Sequence, residues 1–199
     1  MTETISGKEK ILETALTEFA DKGYEGARVD RIAIEAGVNK ALIYYHFKSK
    51  EELYVSTINY LFKKAAPTEL KIPSSLTVRE KMLLVIRHFT TFIHYNPTFV
   101  KIMDQAVNNG NSLFDNLYEQ NLYFQKVIAL YFEGVTKGEI RIIDEPVDYL
   151  ISLLGSCYFF YSHRNALYKF YSSHLDEKEF LEMRIRTVQD IVDRVLFQK

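Results

Sequence analysis

Cysteine and long apolar runs are both scarce in this chain of 199 residues. Cys157 is the only cysteine, which excludes an internal disulfide and a cysteine-based zinc site and is typical of a reducing compartment. No apolar run approaches the ~18 residues of a membrane-spanning helix. The N-terminal segment MTETISGKEK lacks the apolar region of a signal peptide. We therefore expect a soluble cytoplasmic protein that does not enter a membrane.

Sequence signatures of catalysis are also missing. The chain has no Gly-rich phosphate loop, no helical His-Glu-His motif and no nucleophile elbow. Its five histidines are not spaced as a ligand pair on one helix face. Cys157 lies next to Tyr158, and a cysteine of this kind is more often a small buried group than a nucleophile. We therefore expect no enzymatic activity, no metal site and no cofactor.

The chain as a whole carries no excess of positive charge, because its formal net charge is -1 at pH 7. Nucleic acid would therefore have to bind at a local basic region. Residues 1–36 carry five basic and eight acidic side chains, whereas residues 37–50 carry Lys40, Lys48 and Lys50 and no acid. A dimer would present this basic segment twice, and its binding to phosphates would be sensitive to salt.

Proline is rare too, and the four prolines lie between or near the start of segments with helical periodicity. Capping boxes, in which Ser or Thr precedes Glu by three residues, mark helix starts at Ser6, Ser49 and Thr77. The sequence therefore predicts an all-α fold, in which Ile140 to Ile143 form a short apolar link and not a strand. The predicted helices cover about 7–22, 29–36, 40–47, 49–65, 77–96, 97–107, 112–137, 145–171 and 176–197.

The segment from Ile32 to Lys50 reads IAIEAGVNKALIYYHFKSK and has the features of a helix-turn-helix. Two short helical stretches meet at Gly37-Val38-Asn39, and Asn39 is a good N-cap for the second stretch. That second stretch carries Lys, Tyr and His side chains, while Phe47 at its end has the spacing of a core residue. Short helices, a Gly-containing turn and polar groups on the second helix are typical of major-groove DNA recognition.

The last two predicted helices, about 145–171 and 176–197, have the pattern of a subunit interface. The final helix repeats apolar residues at 181, 185, 188, 192 and 195, a spacing that alternates four and three. The helix before it carries Val147, Leu150, Ile151, Leu154 and Tyr158 on one face and Leu153, Cys157 and Phe160 on another. We expect a homodimer through these helices. The alternative is that they only close the core of one subunit.

The first ~65 residues resemble the tetracycline-repressor (TetR) family of bacterial transcriptional regulators, with a fixed spacing from the first helix to the fourth. The matching residues are Ile11 with Phe19, Gly23-Tyr24, Ile32-Ala33, Ala36-Gly37-Val38, Tyr44-Tyr45-His46-Phe47 and Lys50-Glu51-Glu52-Leu53. The rest of the chain resembles the family only in being an all-helical domain of the expected length that ends in two long helices. The resemblance implies a three-helix DNA-binding domain at 1–50, a connecting fourth helix at 49–65, and a larger helical effector-binding and dimerisation domain at 51–199.

The resemblance also implies that the second helix of the helix-turn-helix enters the major groove. The DNA-binding residues predicted on this basis are Arg28, Asn39, Lys40, Ala41, Leu42, Tyr44, Tyr45, His46 and Lys50. Among them we expect phosphate positioning mainly from Lys40, Tyr45, His46 and Lys50, and the positions nearest the bases to be Ala41, Leu42 and Tyr44. Tyr44 also has the spacing of a core residue, so a structural role for it stays open.

The chain departs from the family pattern at several of these positions. The family usually has Thr or Ser just before the second helix, whereas Ala27 and Arg28 stand here. Alanine is a poor N-cap, so we expect Asp30 to supply the first-turn anion and Arg28 to reach a phosphate. Ala41 stands where glycine is common, and Ala41 and Leu42 both suit contact with a thymine methyl group. An operator preference of its own would be encoded here.

The expected function is repression from a near-palindromic double-stranded operator, relieved by a small hydrophobic or aromatic effector whose identity the resemblance does not give. The candidates for the effector site are Met103 and the aromatic residues Phe89, Phe92, Tyr123, Phe124, Tyr158 and Tyr161, with Tyr95, Phe99 and Phe159 nearby in sequence. For any single one of them, ordinary core packing is the competing interpretation. The alternative function is an architectural or activating DNA-binding protein without an effector.

Overall fold

The computed structural model describes residues 6–65, 72–108, 122–170 and 175–197. Within these ranges the regular structure is helical, which confirms the all-α prediction. The helices are α1 (Gly7–Gly26), α2 (Val29–Ala36), α3 (Lys40–His46), α4 (Lys50–Ala65), α5 (Val78–Tyr95), α6 (Pro97–Asn108), α7 (Leu122–Thr136), α8 (Pro146–Ser162), α9 (Arg164–Leu167) and α10 (Glu177–Leu196). A 3-10 turn, Tyr168–Phe170, follows α9.

The chain divides into two compact units. The first unit is Met1–Pro67 with Lys101–Asp115, and the second is Thr68–Val100 with Asn116–Lys199. In the first unit α1 packs on α2 and α4, and α2 packs on α3. In the second unit α5 packs on α7, α8 and α10, and α10 also packs on α8.

Apolar side chains at helical spacing hold the first unit together. Ile11 and Phe19 of α1 are fully buried, as is Ile32 of α2. Tyr54 of α4 meets the ring of Phe19 edge-on at 4.8 Å between centroids, and burial raises the pKa of this tyrosine to about 12. Because α1 contacts both neighbours, its apolar stripe is the common support of α2 and α4.

The helix starts at α1, α4 and α5 use the local caps that the sequence predicts, completely at α1 and α5 and in part at α4. Ser6 with Glu9 and Thr77 with Glu80 form complete capping boxes at α1 and α5. At α4 the amide of Glu52 donates to Ser49 Oγ (3.0 Å). The Glu52 carboxylate accepts from the amide of Lys48 (2.9 Å), whereas in a complete capping box it would accept from the amide of Ser49. At α10 Asp176 and Glu179 form a capping box that was not predicted.

The predicted end of α1 at Lys22 is wrong, because helical turns continue to Gly26. Gly23 adopts φ 68° and ψ 174°, a backbone conformation that favours glycine, and it kinks the helix where an end was expected. The amide of Ala27 donates to the carbonyl of Gly23 (3.1 Å), so a further turn forms after the kink. Later in the first unit, Lys101 of α6 pairs with Asp21 (3.2 Å) beside this end of α1.

The second unit has α5 at its centre. Val85, Ile86 and Ile93 of α5 are buried, and α10, which packs on α5, buries Ile185 and Val188. Polar contacts reinforce the pair of helices: Arg87 binds Glu182 through two hydrogen bonds of 2.9 and 2.8 Å, and Gln189 Nε2 donates to the carbonyl of Leu83 (2.9 Å). Arg79 also pairs with Asp193. The stripe of α10 predicted to pack along a partner subunit is instead largely buried within one protomer: Leu181, Ile185, Val188 and Val192 are buried, whereas Val195 is half-buried.

The single helix predicted at 145–171 is wrong, because α8 ends at Ser162 and the short α9 follows a break at His163. The imidazole Nδ1 of His163 lies 2.7 Å from Ser162 Oγ and 3.0 Å from the carbonyl of Phe159. These local polar contacts compete with the backbone hydrogen bonds that would continue the helix.

The predicted faces of α8 also need correction. Leu150 is buried on the same side as Leu153 and Cys157, not with Val147 and Ile151, which are exposed.

As predicted, the segment from Ile140 to Ile143 is a link and does not form a strand. It packs against α7. The amide of Ile140 donates to the carbonyl of Gly134 (3.1 Å), and a Cβ at Gly134 would lie 2.5 Å from Ile140 Cδ1. Ile143 donates its amide to the hydroxyl of Tyr131 (3.1 Å). The part of the predicted 112–137 helix before Leu122 lies outside the described residues.

Candidate nucleic-acid interface

The turn between α2 and α3 is closed by backbone hydrogen bonds. Gly37 is left-handed (φ 66°, ψ 34°), its amide donates to the carbonyl of Ile34 (3.0 Å), and the amide of Val38 donates to the carbonyl of Ala33 (2.9 Å). This is the αL ending of a helix that favours glycine. Asn39 then caps α3, because its Oδ1 accepts the amide of Leu42 at 2.7 Å. The turn therefore fixes where α3 begins.

The helix α3 is anchored by two buried apolar side chains and leaves its other side open. Ile43 within the helix and Phe47 directly after it are each 1% exposed. The predicted core role of Phe47 is confirmed, and Phe47 ends the helix as its C-cap instead of belonging to it. The open side carries the predicted contact residues: Lys40, Ala41, Tyr44 and Tyr45 are exposed, while Leu42 and His46 are half-buried.

Tyr45 is the most exposed aromatic residue of α3, with 82% of its surface accessible, whereas Tyr44 is 41% exposed. The ring of His46 meets Tyr45 edge-on at 5.3 Å, and the ammonium of Lys40 lies 6.0 Å from the centre of the Tyr44 ring. A projecting aromatic ring on a short helix is available for contact with a phosphate or a base edge.

Lys40 is not a free cation in this structure. Its ammonium lies 2.8 Å from the carboxylate of Asp30 on α2, and this hydrogen bond raises the pKa of Lys40. Asp30 is in the first turn of α2, as predicted, but its carboxylate is directed to Lys40. A phosphate that binds Lys40 must therefore share it with Asp30 or displace Asp30.

Lys50 makes two contacts within the first unit. Its ammonium donates to the carbonyl of Glu25 near the end of α1 (3.2 Å) and lies 4.9 Å from the centre of the Tyr24 ring. A lysine that satisfies a carbonyl at a helix C-terminus ties α4 to α1. This is a structural role beside the predicted phosphate contact.

Sequence reasoning missed Glu18, which performs the capping that Arg28 does not. Glu18 is 4% exposed, and its Oε1 accepts the amide of Arg28 at 3.2 Å. Its other oxygen lies 3.8 Å from Nε of Arg31. The Arg28 side chain is exposed and takes no part in capping. The position of Glu18 among Ala15 and Phe19 on the apolar stripe of α1 was the available signal.

The residues predicted to bind an effector, six aromatic residues and Met103, occupy different environments. Phe89 and Tyr161 are buried, and Phe92 and Tyr158 are half-buried. Phe92 meets Phe99 edge-on at 5.1 Å, and the Tyr158 hydroxyl donates to the carbonyl of Val100 (3.0 Å). Met103 belongs to the first unit, whereas the other candidates belong to the second. The side chains of Tyr123 and Phe124 lie outside the described residues.

Burial raises the pKa of the Cys157 thiol to about 11, so at neutral pH it is protonated and poorly nucleophilic. Over the four described ranges, no group of three or more His, Cys, Asp or Glu side chains is placed to hold a metal ion. In the same part of the chain, no helix combines the length and the apolar character that crossing a membrane requires.

A short capped helix, anchored by Ile43 and Phe47 and exposing Lys40 and Tyr45, defines a helix-turn-helix DNA-binding protein. A family model described as bacterial regulatory proteins, tetR family, matches residues 11–57. A second model, described as the tetracyclin repressor-like C-terminal domain, matches residues 79–192. The chain belongs to the TetR family and is a DNA-binding transcriptional regulator, as the sequence predicted. TetR-family regulators bind DNA and act as dimers with small-molecule effectors.

Two relatives illustrate the similarity. The HTH-type transcriptional repressor NicS of Pseudomonas putida is 28% identical over 200 residues, covering 95% of this chain and 92% of NicS. The negative transcriptional regulator IcaR of the biofilm operon icaADBC in Staphylococcus aureus is 27% identical over 154 residues, covering 73% and 78%. Among solved structures, a TetR transcription regulator from Haloarcula marismortui shares the fold with a TM-score of 0.72 at 18% identity, covering 96% and 98%.

Proposed function

We propose that the chain is a cytoplasmic repressor without catalytic activity that binds a near-palindromic operator as a homodimer and is released by a small hydrophobic or aromatic effector. The observation that carries the DNA-binding part is the exposed side of α3, where Lys40, Tyr44 and Tyr45 project from a helix fixed by buried Ile43 and Phe47. Two such helices in a dimer would enter successive major grooves about 34–36 Å apart.

Operator binding tests this proposal directly. A duplex is first enriched from a random-sequence pool by the wild-type protein, and its dissociation constant is then measured at moderate salt. Lys40→Ala combined with Tyr45→Ala removes two predicted phosphate contacts, one of them the most exposed ring of α3, so we expect a loss of about 10- to 100-fold. Lys22→Ala combined with Tyr95→Ala removes the same residue types elsewhere and is expected to bind normally. Equal affinity of the α3 variant and wild type would contradict the proposal.

The dimer is proposed to form through α8 and α10. Val147, Ile151, Gly155 and Phe159 are four residues apart and therefore form one ridge along α8. The three larger side chains are 47%, 49% and 59% exposed, and a Cβ at Gly155 would meet no atom within 4 Å. Ile191 of α10 is exposed as well. An apolar ridge of this kind on a helix supports burial against a second copy.

An effector site in the second unit is proposed from its aromatic content. Phe89, Phe92, Tyr158 and Tyr161 belong to α5 and α8, which pack on each other. The effector would bind one conformation of the dimer better and so shift the population away from the form that fits the operator. A panel of flat hydrophobic compounds in thermal denaturation scans tests this idea, because a compound that binds the folded state raises its Tm. A panel without any stabilising member would count against an effector of this chemistry.

The proposal of repression follows the printed names of the relatives, a transcriptional repressor and a negative transcriptional regulator. An architectural or activating role without an effector is not favoured. A reporter gene placed behind the enriched duplex distinguishes the two: repression predicts higher expression when the gene for this chain is deleted, and activation predicts lower expression.

A further inference from the structure

Two lysines in the first turn of α1, Lys8 and Lys10, lie near opposite ends of α3. The ammonium of Lys8 lies 5.4 Å from the centre of the Phe47 ring, directly after the last residue of α3. The ammonium of Lys10 lies 3.5 Å from the point where a Cβ on Gly37 would be, in the turn before α3. Because an α-helix has 3.6 residues per turn, side chains two residues apart point to nearly opposite sides. The start of α1 therefore places one cation near each end of α3.

Neither ammonium is neutralised by a carboxylate within the described part of the chain, and both lysines are exposed. This distinguishes them from Lys40, which pairs with Asp30, and from Lys101, which pairs with Asp21. The acid between them, Glu9, is turned back onto the amide of Ser6 (3.0 Å) as part of the capping box. The two positive charges therefore remain available to an anion from outside the protomer.

The position of these cations suits the DNA backbone. With seven residues at about 1.5 Å each, α3 is about 10 Å long and fits in the major groove of B-DNA, which is about 12 Å wide. Cations beside both ends of a helix that lies in this groove are close to the sugar-phosphate backbone that borders it. Lysine binds phosphate as a point charge and carries no base preference.

We infer that Lys8 and Lys10 are phosphate-binding residues that hold the sugar-phosphate backbone of duplex DNA on both sides of the groove occupied by α3. This inference rests on the proposed DNA-binding role of α3. It adds a second basic element, at the start of α1, to the segment at 37–50. The two lysines position the protein on any duplex, and the side chains of α3 select the sequence.

A purely structural role for these lysines is the competing interpretation, because the ammonium of Lys8 lies over the buried ring of Phe47. Replacing both lysines by glutamine keeps most of each stem and removes the charge. Lys22→Gln on the last turns of α1 is the matched control, since Lys22 is exposed on the same helix. Replacement of both lysines by arginine retains the charge and should retain binding.

The experiment measures the dissociation constant from 50 to 300 mM salt, with the enriched duplex and with a scrambled duplex of equal length. Removing one lysine–phosphate interaction lowers the slope of log K against log salt by about 0.9. We therefore expect the Lys8→Gln, Lys10→Gln protein to lose about two units of slope for each protomer bound, and to lose affinity by a similar factor on both duplexes. The Lys22→Gln control should match wild type.

An unchanged slope in the double variant, with normal binding by wild type, would overturn the inference and leave the function of α3 intact. Failure of the wild type to bind any duplex would instead overturn the proposed function. If the double variant does not fold, as judged by its helical circular dichroism, Lys10→Gln alone decides, because Lys10 contacts no ring among the described residues. That variant should lose about one unit of slope per protomer.

Discussion

The exposed side of α3 and the exposed ridge of α8 are built from different side chains and suit different partners. On α3, Lys40, Tyr44 and Tyr45 present a cation and polar-tipped rings. On α8, Val147, Ile151 and Phe159 present only hydrocarbon, interrupted by Gly155. The first surface loses little by staying hydrated, which fits a polar, charged partner that binds reversibly. The second gains by leaving water, which fits a lasting contact with another apolar surface.

The largest expected effect comes from filling the gap in the α8 ridge with Gly155→Leu. Within one protomer a Cβ added there meets no atom within 4 Å, and loss of a helical glycine stabilises the helix by about 1 kcal/mol. In the proposed dimer the same side chain would separate the two copies of α8, at a cost of about 1–3 kcal/mol for each copy. We expect the dimer dissociation constant to rise about 100-fold or more in sedimentation experiments.

The control for this change is Ile142→Arg, which alters an even more exposed apolar residue outside the ridge. It should leave the dimer intact. A Gly155→Leu protein that dimerises as tightly as wild type would exclude the ridge as the contact, and it would leave the DNA-binding role of α3 untouched.

The second prediction concerns the support of the recognition surface. Glu18→Ala leaves the amide of Arg28 without its buried acceptor, and such a loss destabilises a protein by about 1–3 kcal/mol. We expect chemical denaturation to show this loss, with a smaller one for Glu18→Gln, whose amide oxygen can still accept. Glu35→Ala removes an exposed partner of Arg31 and should change the stability by less than about 1 kcal/mol. Equal stability of Glu18→Ala and wild type would show that Glu18 does not support α2.

Glu18 also shows which contacts a sequence can predict. The capping boxes of α1 and α5 were predictable because both partners lie within three residues of each other. Glu18 and Arg28 are ten residues apart and meet only when α1 and α2 pack. The ion pair of Lys40 with Asp30 and the contact of Lys50 with Glu25 depend on tertiary packing in the same way.

The exposed and buried sides of α8 were harder to predict for a different reason. Its residues are apolar nearly all round, so periodicity does not tell Val147 and Ile151, which are exposed, from Leu153 and Cys157, which are buried. In α3 the order Lys-Ala-Leu-Ile-Tyr-Tyr-His contains polar residues on one side, and its orientation was therefore predictable. The predicted DNA contacts and the predicted effector residues stay predictions until the experiments above are done.

The third prediction is a decrease of stability in mild acid. Burial and the charge of Arg164 lower the pKa of His94, although the Glu177 carboxylate, 3.4 Å from Nε2, opposes them. The Tyr161 hydroxyl lies 3.3 Å from Nδ1 and also faces the ring. As the pH falls, the His94 side chain binds a proton near pH 6.5 in the unfolded chain and only at lower pH in the folded chain. The contribution of neutral His94 to the free energy of unfolding is therefore present above pH 6.5 and is lost as the pH falls below it.

Chemical denaturation between pH 7.5 and 5 measures this effect. One group of this kind changes the free energy of unfolding by at most about 1.4 kcal/mol per pH unit. The pKa of His88 is lowered too, by burial and by Lys126, so His94→Gln should reduce the slope without abolishing it. A slope that is identical in His94→Gln and wild type would mean that His94 is not the group responsible.

The smallest expected effect tests whether Asp30 restrains the recognition surface. Asp30→Asn removes the carboxylate that pairs with Lys40 and also one negative charge beside the proposed DNA surface. We expect affinity for a scrambled duplex at low salt to rise by about two- to fivefold, the size typical of one exposed charge, and to approach wild type at high salt. Asp21→Asn breaks a similar exposed ion pair, with Lys101, away from α3 and should have no effect. Weaker binding by Asp30→Asn would mean the opposite role, in which Asp30 orients Lys40 for its phosphate. Because the α8 ridge of Val147, Ile151, Gly155 and Phe159 carries no charge, a response to salt in this experiment would come from the α3 surface and not from that ridge.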